Sequence, residues 1–299
     1  MMDNKILVGS RSSKLALEQT RLVIDSLRKI HPEKRYEIVT VETAGDKFEN
    51  RQPEGKQDRG FFVRGIEEAL RAGRIDFAVH SAKDLPRFAE NSLEVSAIFP
   101  REDPRDVLVT EEARELSALP PGARVGTGSL RRKCELLAIR DDLQVEPVRG
   151  NVPTRISKLK RGSYDAIILA AAGLARLDLL AEVDEYFSVD RMVPAAGQGA
   201  LALQVHEENK KISEHLAPVS ELPDEYCVRQ EKKFIARLSL GCSQPVGAYG
   251  RVEEGCFHLD TVYYPEGPGS PIRLTEKMSL DYEADPGLQL ADETLQKCK

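Results

Sequence analysis

Short apolar runs with a period of two alternate along this chain with longer stretches of period near 3.6, the pattern of strands and helices in turn. Lys5 to Gly9 reads as a strand, and Ser12 or Ser13 then caps a helix whose apolar stripe is Leu15, Leu22, Val23, Leu27 and Ile30. Tyr36 to Thr43 alternates and is a strand, whereas Gly45 to Gly60 is polar, breaker-rich and aperiodic, a loop of the length that is usually either functional or disordered. A helix over Phe61 to Arg71 stops at Gly73, with strands at Phe77 to His80 and Leu93 to Ile98. After a linker at Phe99 to Arg105, a second alternating unit predicts strands near Val107 to Val109, Arg124 to Gly126, Val145 to Val148 and Ala166 to Leu169. Its helices fall near Leu130 to Ile139 and Val152 to Arg161.

A second connection lies at Met192 to Gly199, and Ala200 to Val205 is a strand able to return to the first unit. From about Leu222 the pattern gives a helix over Tyr226 to Leu238, strands near Gly247 to Val252, Phe257 to Tyr263 and Ile272 to Leu280, and a last helix near Gly287 to Lys297. The fold class is therefore α/β: two doubly wound lobes with a hinged cleft, plus a small C-terminal α+β domain. The expected bounds are 1–99 with 200–217 for lobe 1, 105–193 for lobe 2 and 222–299 for the C-terminal domain. Two crossings between lobes make the cleft the expected ligand site.

Composition narrows the partners. Among 299 residues, 41% are hydrophobic, enough for several cores, yet no apolar run approaches the ~20 residues that span a bilayer. The start leads directly into a strand with no apolar leader, so the expectation is a cytoplasmic protein with no membrane partner. Five scattered cysteines without a Cys-x-x-Cys pair predict neither a disulfide framework nor a zinc site, and no metal is expected. A net charge of −6 argues against nucleic acid, so any anion site must be a local concentration of arginine.

Four strand-to-helix turns hold such concentrations. Gly9-Ser10-Arg11-Ser12-Ser13 opens a helix whose N-terminal N–H groups and Arg11 suit an anion, or it is a serine cap beside a solvated arginine. His80-Ser81-Ala82-Lys83-Asp84-Leu85-Pro86 follows a strand, where α/β sheets gather functional groups. Asp84 there could stabilise a developing cation, or pair with Lys83 on the surface. Gly126-Thr127-Gly128-Ser129-Leu130-Arg131-Arg132 frees the backbone with glycines and places two arginines where they oppose the helix dipole, a cost that favours a ligand role. Val148 to Arg155 adds Arg149 and Arg155, and Arg176 follows the next strand. Together they predict a ligand with many carboxylates or phosphates. Cys242, flanked by Gly241 and Pro245, reads as a presented thiol suited to a covalent bond, or as a small buried apolar residue.

In order along the chain, Arg11 to Ala16, His80 to Pro86, Gly126 to Arg132, Arg149-Gly150-Asn151 and Gly241-Cys242 resemble the motifs of the porphobilinogen deaminase (hydroxymethylbilane synthase) family, over nearly the whole length. The resemblance implies a transferase that condenses four porphobilinogen units head to tail, with loss of ammonia, on a dipyrromethane cofactor held as a thioether at Cys242, then releases the linear tetrapyrrole by hydrolysis. It implies Asp84 as the catalytic residue, with Lys83, Asp84, Thr127, Ser129, Arg131, Arg132 and Gly150 on the cofactor. Arg11, Ser13, Phe62, Arg149, Arg155 and Arg176 would hold substrate, with the Gly45 to Gly60 segment as a loop over the cleft and the enzyme a monomer. Arg64-Gly65, Glu231-Lys232 and Gln244 depart from the family pattern, bearing on the loop and local packing. The alternative is a non-catalytic hinged receptor for a small anion, which the missing leader, Cys242 and Asp84 disfavour.

Overall fold

The computed structural model describes residues 5–41, 63–85, 88–238 and 244–298. In chain order the elements begin with β1 (Lys5–Ser10), α1 (Lys14–Ile30), β2 (Arg35–Thr40), α2 (Arg64–Arg71), β3 (Phe77–Ser81), β4 (Ala89–Glu90) and β5 (Leu93–Phe99). Next come β6 (Asp106–Thr110), β7 (Arg124–Gly126), α3 (Leu130–Ile139), β8 (Gln144–Glu146), α4 (Val152–Lys160), β9 (Ala166–Ala170), α5 (Ala171–Ala175) and β10 (Glu185–Tyr186). The last are β11 (Leu201–His206), α6 (Lys210–Leu216), α7 (Leu222–Arg237), β12 (Val246–Glu253), β13 (Cys256–Tyr263), β14 (Ile272–Ser279) and α8 (Pro286–Lys297). The fold is mixed α/β with three sheets. Chain contacts divide it into two compact units, Met1–Arg101 with Ala200–Tyr226, and Glu102–Gly199 with Cys227–Lys299.

The first unit carries the sheet β2-β1-β3-β11-β5-β4. Strands β1, β2 and β3 run parallel, and β11 pairs antiparallel with both β3 and β5. On one face Val23, Ile24 and Leu27 of α1 pack on Ile6, Val8 and Phe77; on the other, Ile66, Ala69 and Leu70 of α2 pack on Ile75 and Ala78. The stripe expected on α1 is corrected here. Leu22 and Ile30 are 44% and 41% exposed, and the buried face is Gln19, Thr20, Val23, Ile24 and Leu27. Two polar side chains belong to that face because partners satisfy them: Thr20 Oγ1 donates to Ser10 Oγ at 2.9 Å and Gln19 Nε2 to Ser81 Oγ at 3.0 Å. Counting apolar residues alone rotates the helix off its true inner face.

The second unit holds two sheets. The sheet β10-β6-β9-β7-β8 has β7 parallel to both β8 and β9, so the carboxyl ends of three neighbouring strands share one edge. Its faces are covered by α3 with Leu136, and by α4 and α5 with Ile156, Leu159 and Leu174. The antiparallel meander β12-β13-β14 forms the other sheet, and α8 packs on it. Helices α5 and α6 were not anticipated. Five residues make α5, too few for a periodicity to register, and α6 lies in a polar stretch where Asn209 caps it by accepting from the Ile212 N–H.

Candidate functional site

In the first unit, β1 and β3 are adjacent parallel strands with Gly9 beside Ala78, so their carboxyl ends bring two of the four turns together. Ser13 caps α1, its hydroxyl accepting from the Ala16 N–H at 3.3 Å, and Arg11 just before it is half-buried. After β3 the chain makes one tight helical turn, Ala82–Asp84. Ala82 and Leu85 are fully buried anchors on either side, and the Ala82 N–H donates to Ala200 O at 3.0 Å. The anchors leave Lys83 half-buried and Asp84 exposed. Beneath them His80 is only 6% exposed. Burial holds its imidazole down at about 4, against the opposing pull of Asp84 and Gln204, so the ring is neutral.

In the second unit, the turns after β7, β8 and β9 line the shared edge. The Thr127 N–H donates to Glu146 O at 2.9 Å, joining the first two turns. Thr127 Oγ1 accepts from the Ser129 N–H at 3.2 Å, and Ser129 caps α3 by accepting from the Arg132 N–H. A Cβ on Gly128 would stand 3.2 Å from Val148 O. Gly150 has φ +108, and a Cβ there would stand 2.5 Å from Thr154 Cγ2. The protein's own packing therefore calls for glycine at Gly150, as its positive φ does, and leaves little room for a side chain at Gly128. Asn151 caps α4, Arg155 Nε donates to Gly150 O at 2.7 Å, and Arg149 is exposed. Arg176 is half-buried; its Nη2 donates to Gly199 O, and burial lowers its guanidinium to about 10.

Arg131 and Arg132 differ from what the sequence led us to expect. They are 3% and 6% exposed, set among carboxylates rather than open to solvent. Asp106, at the start of β6, lies 2.7 Å from Arg131 Nη2 and 2.6 Å from Arg132 Nη2. Arg131 Nη1 donates to Glu135 Oε2 at 2.9 Å and to Val193 O at 2.7 Å. Gln198 completes the set, its Nε2 donating to Asp106 Oδ1 at 2.8 Å and to Pro104 O at 2.7 Å. Burial works to raise the Asp106 carboxyl, but the two guanidiniums overcome it and hold it down at about 2. The dipole cost of two cations at a helix start is therefore offset inside the protein. Asp106, Glu135 and Gln198 were missed by sequence reasoning. Glu135 had a signal, four residues after Arg131 on one helix face. Asp106 and Gln198 had none, being distant in sequence.

Cys242, Phe62, Pro86 and the Gly45 to Gly60 segment lie outside the described residues. Among the described residues no group of three or more His, Cys, Asp or Glu is placed to hold a metal ion, and no helix is long and apolar enough to cross a membrane.

The family model described as "Porphobilinogen deaminase, dipyromethane cofactor binding domain" matches residues 6–214. The porphobilinogen deaminase of Thermus thermophilus is 42% identical over 293 residues, 98% of this chain and 96% of its own length. That of Deinococcus radiodurans is 42% identical over 295 residues, again 98% of this chain and 96% of its own. Among solved structures, the methionine binding protein MetQ aligns with a TM-score of 0.49 at 13% identity, over 78% of this chain and 95% of that one.

Proposed function

The chain belongs to the porphobilinogen deaminase family, and from that premise we propose how its own residues divide the family's reaction. It is a transferase that condenses four porphobilinogen units head to tail, with loss of ammonia, on a dipyrromethane primer, and frees the linear tetrapyrrole by hydrolysis. The primer, when bound, would supply the free α-carbon that takes the first unit, and each later unit would add to the free α-carbon at the end of the growing chain.

We assign its tether to the Cys242 thiol. Thr127, Ser129, Arg131 and Arg132 hold its acid side chains, Lys83 is a further cation for them, and Gly150 gives room. The observation that carries this reading is the shared edge of β7, β8 and β9, which gathers three cation-bearing turns. Each pyrrole ring carries an acetate and a propionate, so the donor chemistry fits: bidentate guanidiniums, hydroxyls and N–H groups of capped helices. Arg149, Arg155 and Arg176 bind the acid groups of the growing chain. Arg11 and Ser13 bind those of the incoming unit, and Phe62 is assigned to stacking near the growing chain.

Asp84 is the catalytic residue. Its exposed carboxylate accepts the pyrrole N–H and stabilises the cation formed as ammonia leaves the substrate. We assign the enzyme to the cytoplasm as a monomer; sedimentation at the mass of a dimer would overturn the latter.

Two measurements test the assignment. Intact-protein mass should exceed the sequence mass by one dipyrromethane unit, with the excess gone in Cys242→Ser. A Cys242→Ser protein that kept the added mass would move the tether elsewhere. Asp84→Asn should fold normally and lose ~10²–10³ or more of turnover; near-normal tetrapyrrole formation would remove Asp84 from the mechanism.

A further inference from the structure

The turn after β8 has its hydrogen-bond acceptors already occupied. Lys158 Nζ donates to Arg149 O at 3.0 Å, Arg155 Nε to Gly150 O at 2.7 Å and the Arg155 N–H to Asn151 O at 3.0 Å. The Asn151 side chain is committed as well, its Oδ1 accepting from the Thr154 N–H at 3.0 Å and from the Thr154 hydroxyl at 2.8 Å. Each carbonyl from Arg149 to Asn151 is thus drawn onto α4. A planar trans peptide points its C=O and N–H in opposite directions, and none of the described peptides is cis. The N–H groups of Gly150 and Asn151 are therefore turned away from the groups that hold the Arg149 and Gly150 carbonyls. Among the described residues neither N–H has a backbone partner. The turn offers a ligand donors, and the carbonyl oxygens that would repel an anion are taken up.

Two of the three carbonyls are held by groups with another duty. Gly150 O is held by Arg155, read above as binding the growing chain, and Asn151 O by a backbone N–H of the helix itself. Arg149 O is held by Lys158, nine positions on. The reach follows from helix geometry. Side chains on a helix lean toward its N-terminus, and Arg155 and Lys158, three positions apart, share one face of α4.

We infer that Lys158 is a positioning residue of the ligand site: its ammonium draws the Arg149 carbonyl onto α4 and so presents the Gly150 N–H to a ligand carboxylate. Lys158 has this role only if Gly150 lies against the primer, as proposed above. It keeps its charge and its proton throughout, and acts through the plane of one peptide. The plainer role for a lysine in the last turn of a helix is to complement the helix dipole. Lys160 provides the control for that role, since it occupies the same last turn but places its Nζ 2.8 Å from Glu182 Oε1.

The test is hydrogen exchange at the Gly150 amide, read by NMR on the full chain with and without the covalent primer, in the parent protein and in Lys158→Met, Lys158→Arg and Lys160→Met. Loading should slow Gly150 exchange by about tenfold or more in the parent protein, as a hydrogen bond to a carboxylate does. Lys158→Met should lose most of that slowing, Lys158→Arg should restore it, and Lys160→Met should keep it. A folded Lys158→Met chain that takes up no primer, while Lys160→Met loads normally, counts as the same loss. An equal loss in both methionine variants would reduce Lys158 to a helix-dipole partner and overturn the inference. Slowing in the parent protein that Lys158→Met leaves intact removes Lys158 alone. No slowing in the parent protein removes Gly150 from the primer site, and Lys158 with it, whether or not any variant folds.

Discussion

The turns after β7 and β8 are neighbours on one sheet edge, and both contribute arginines, yet they treat charge in opposite ways. After β7, Arg131 and Arg132 are sealed among Asp106, Glu135 and Gln198. After β8, Arg149 stands exposed and Arg155 points its Nε at a backbone carbonyl. In sequence the two turns look alike, glycine-bearing and basic. What separates them is a strand on the far side of β9: β6 opens with a buried Asp106 that reaches the first pair. A guanidinium enclosed among carboxylates is fixed in direction before a ligand arrives, whereas that of Arg149 lies on an exposed residue. On our assignment, that is the difference between holding a permanent primer and holding a lengthening chain.

Breaking the buried side of the comparison should have the largest effect. Asp106→Asn leaves two buried cations short of a carboxylate and should cost about 3–5 kcal/mol of stability, read by chemical denaturation. A loss below about 1 kcal/mol would mean the network is not what holds α3 in place. Next is the acid limb of stability. The folded Asp106 carboxyl stands near 2 against an ordinary 3.8, so its contribution is complete above about pH 4 and is lost as pH falls toward 2. Thermal unfolding in that window should flatten in Asp106→Asn. The smallest structural effect belongs to the exposed side: Arg149→Ala should change stability by no more than ~0.5 kcal/mol and leave the acid limb intact. Its cost should appear in the later condensation steps, measured by the build-up of partly elongated enzyme. A destabilisation equal to that of Asp106→Asn would erase the distinction between the turns.

The comparison also shows what the sequence could and could not say. Helix α3 was legible to the residue, Leu130 to Ile139, because Ser129 marks its start and the period is strong. The cation-bearing turns were legible because their motifs are local. The counter-charges were not, since Asp106 meets Arg132 across 26 positions and Gln198 meets Asp106 across 92. Glu135 stood within reach of a spacing rule, but the rule reports proximity and not burial. The inner face of α1 failed for a related reason. Thr20 and Gln19 are polar by type and interior by partnership, and the partners, Ser10 and Ser81, sit on strands.

Strand β11 separates β3 from β5 in the first sheet, although it is encoded about a hundred residues after either. During synthesis, then, the amino-terminal segment emerges with a gap in its middle and two unsatisfied ladders flanking it. It must wait for the ribosome to deliver Leu201–His206 before that gap can close. Until then Phe77–Ser81 and Leu93–Phe99 each offer a bare, apolar margin to any other extended peptide. The nascent protein thus keeps that gap open to misassociation until its own missing strand arrives.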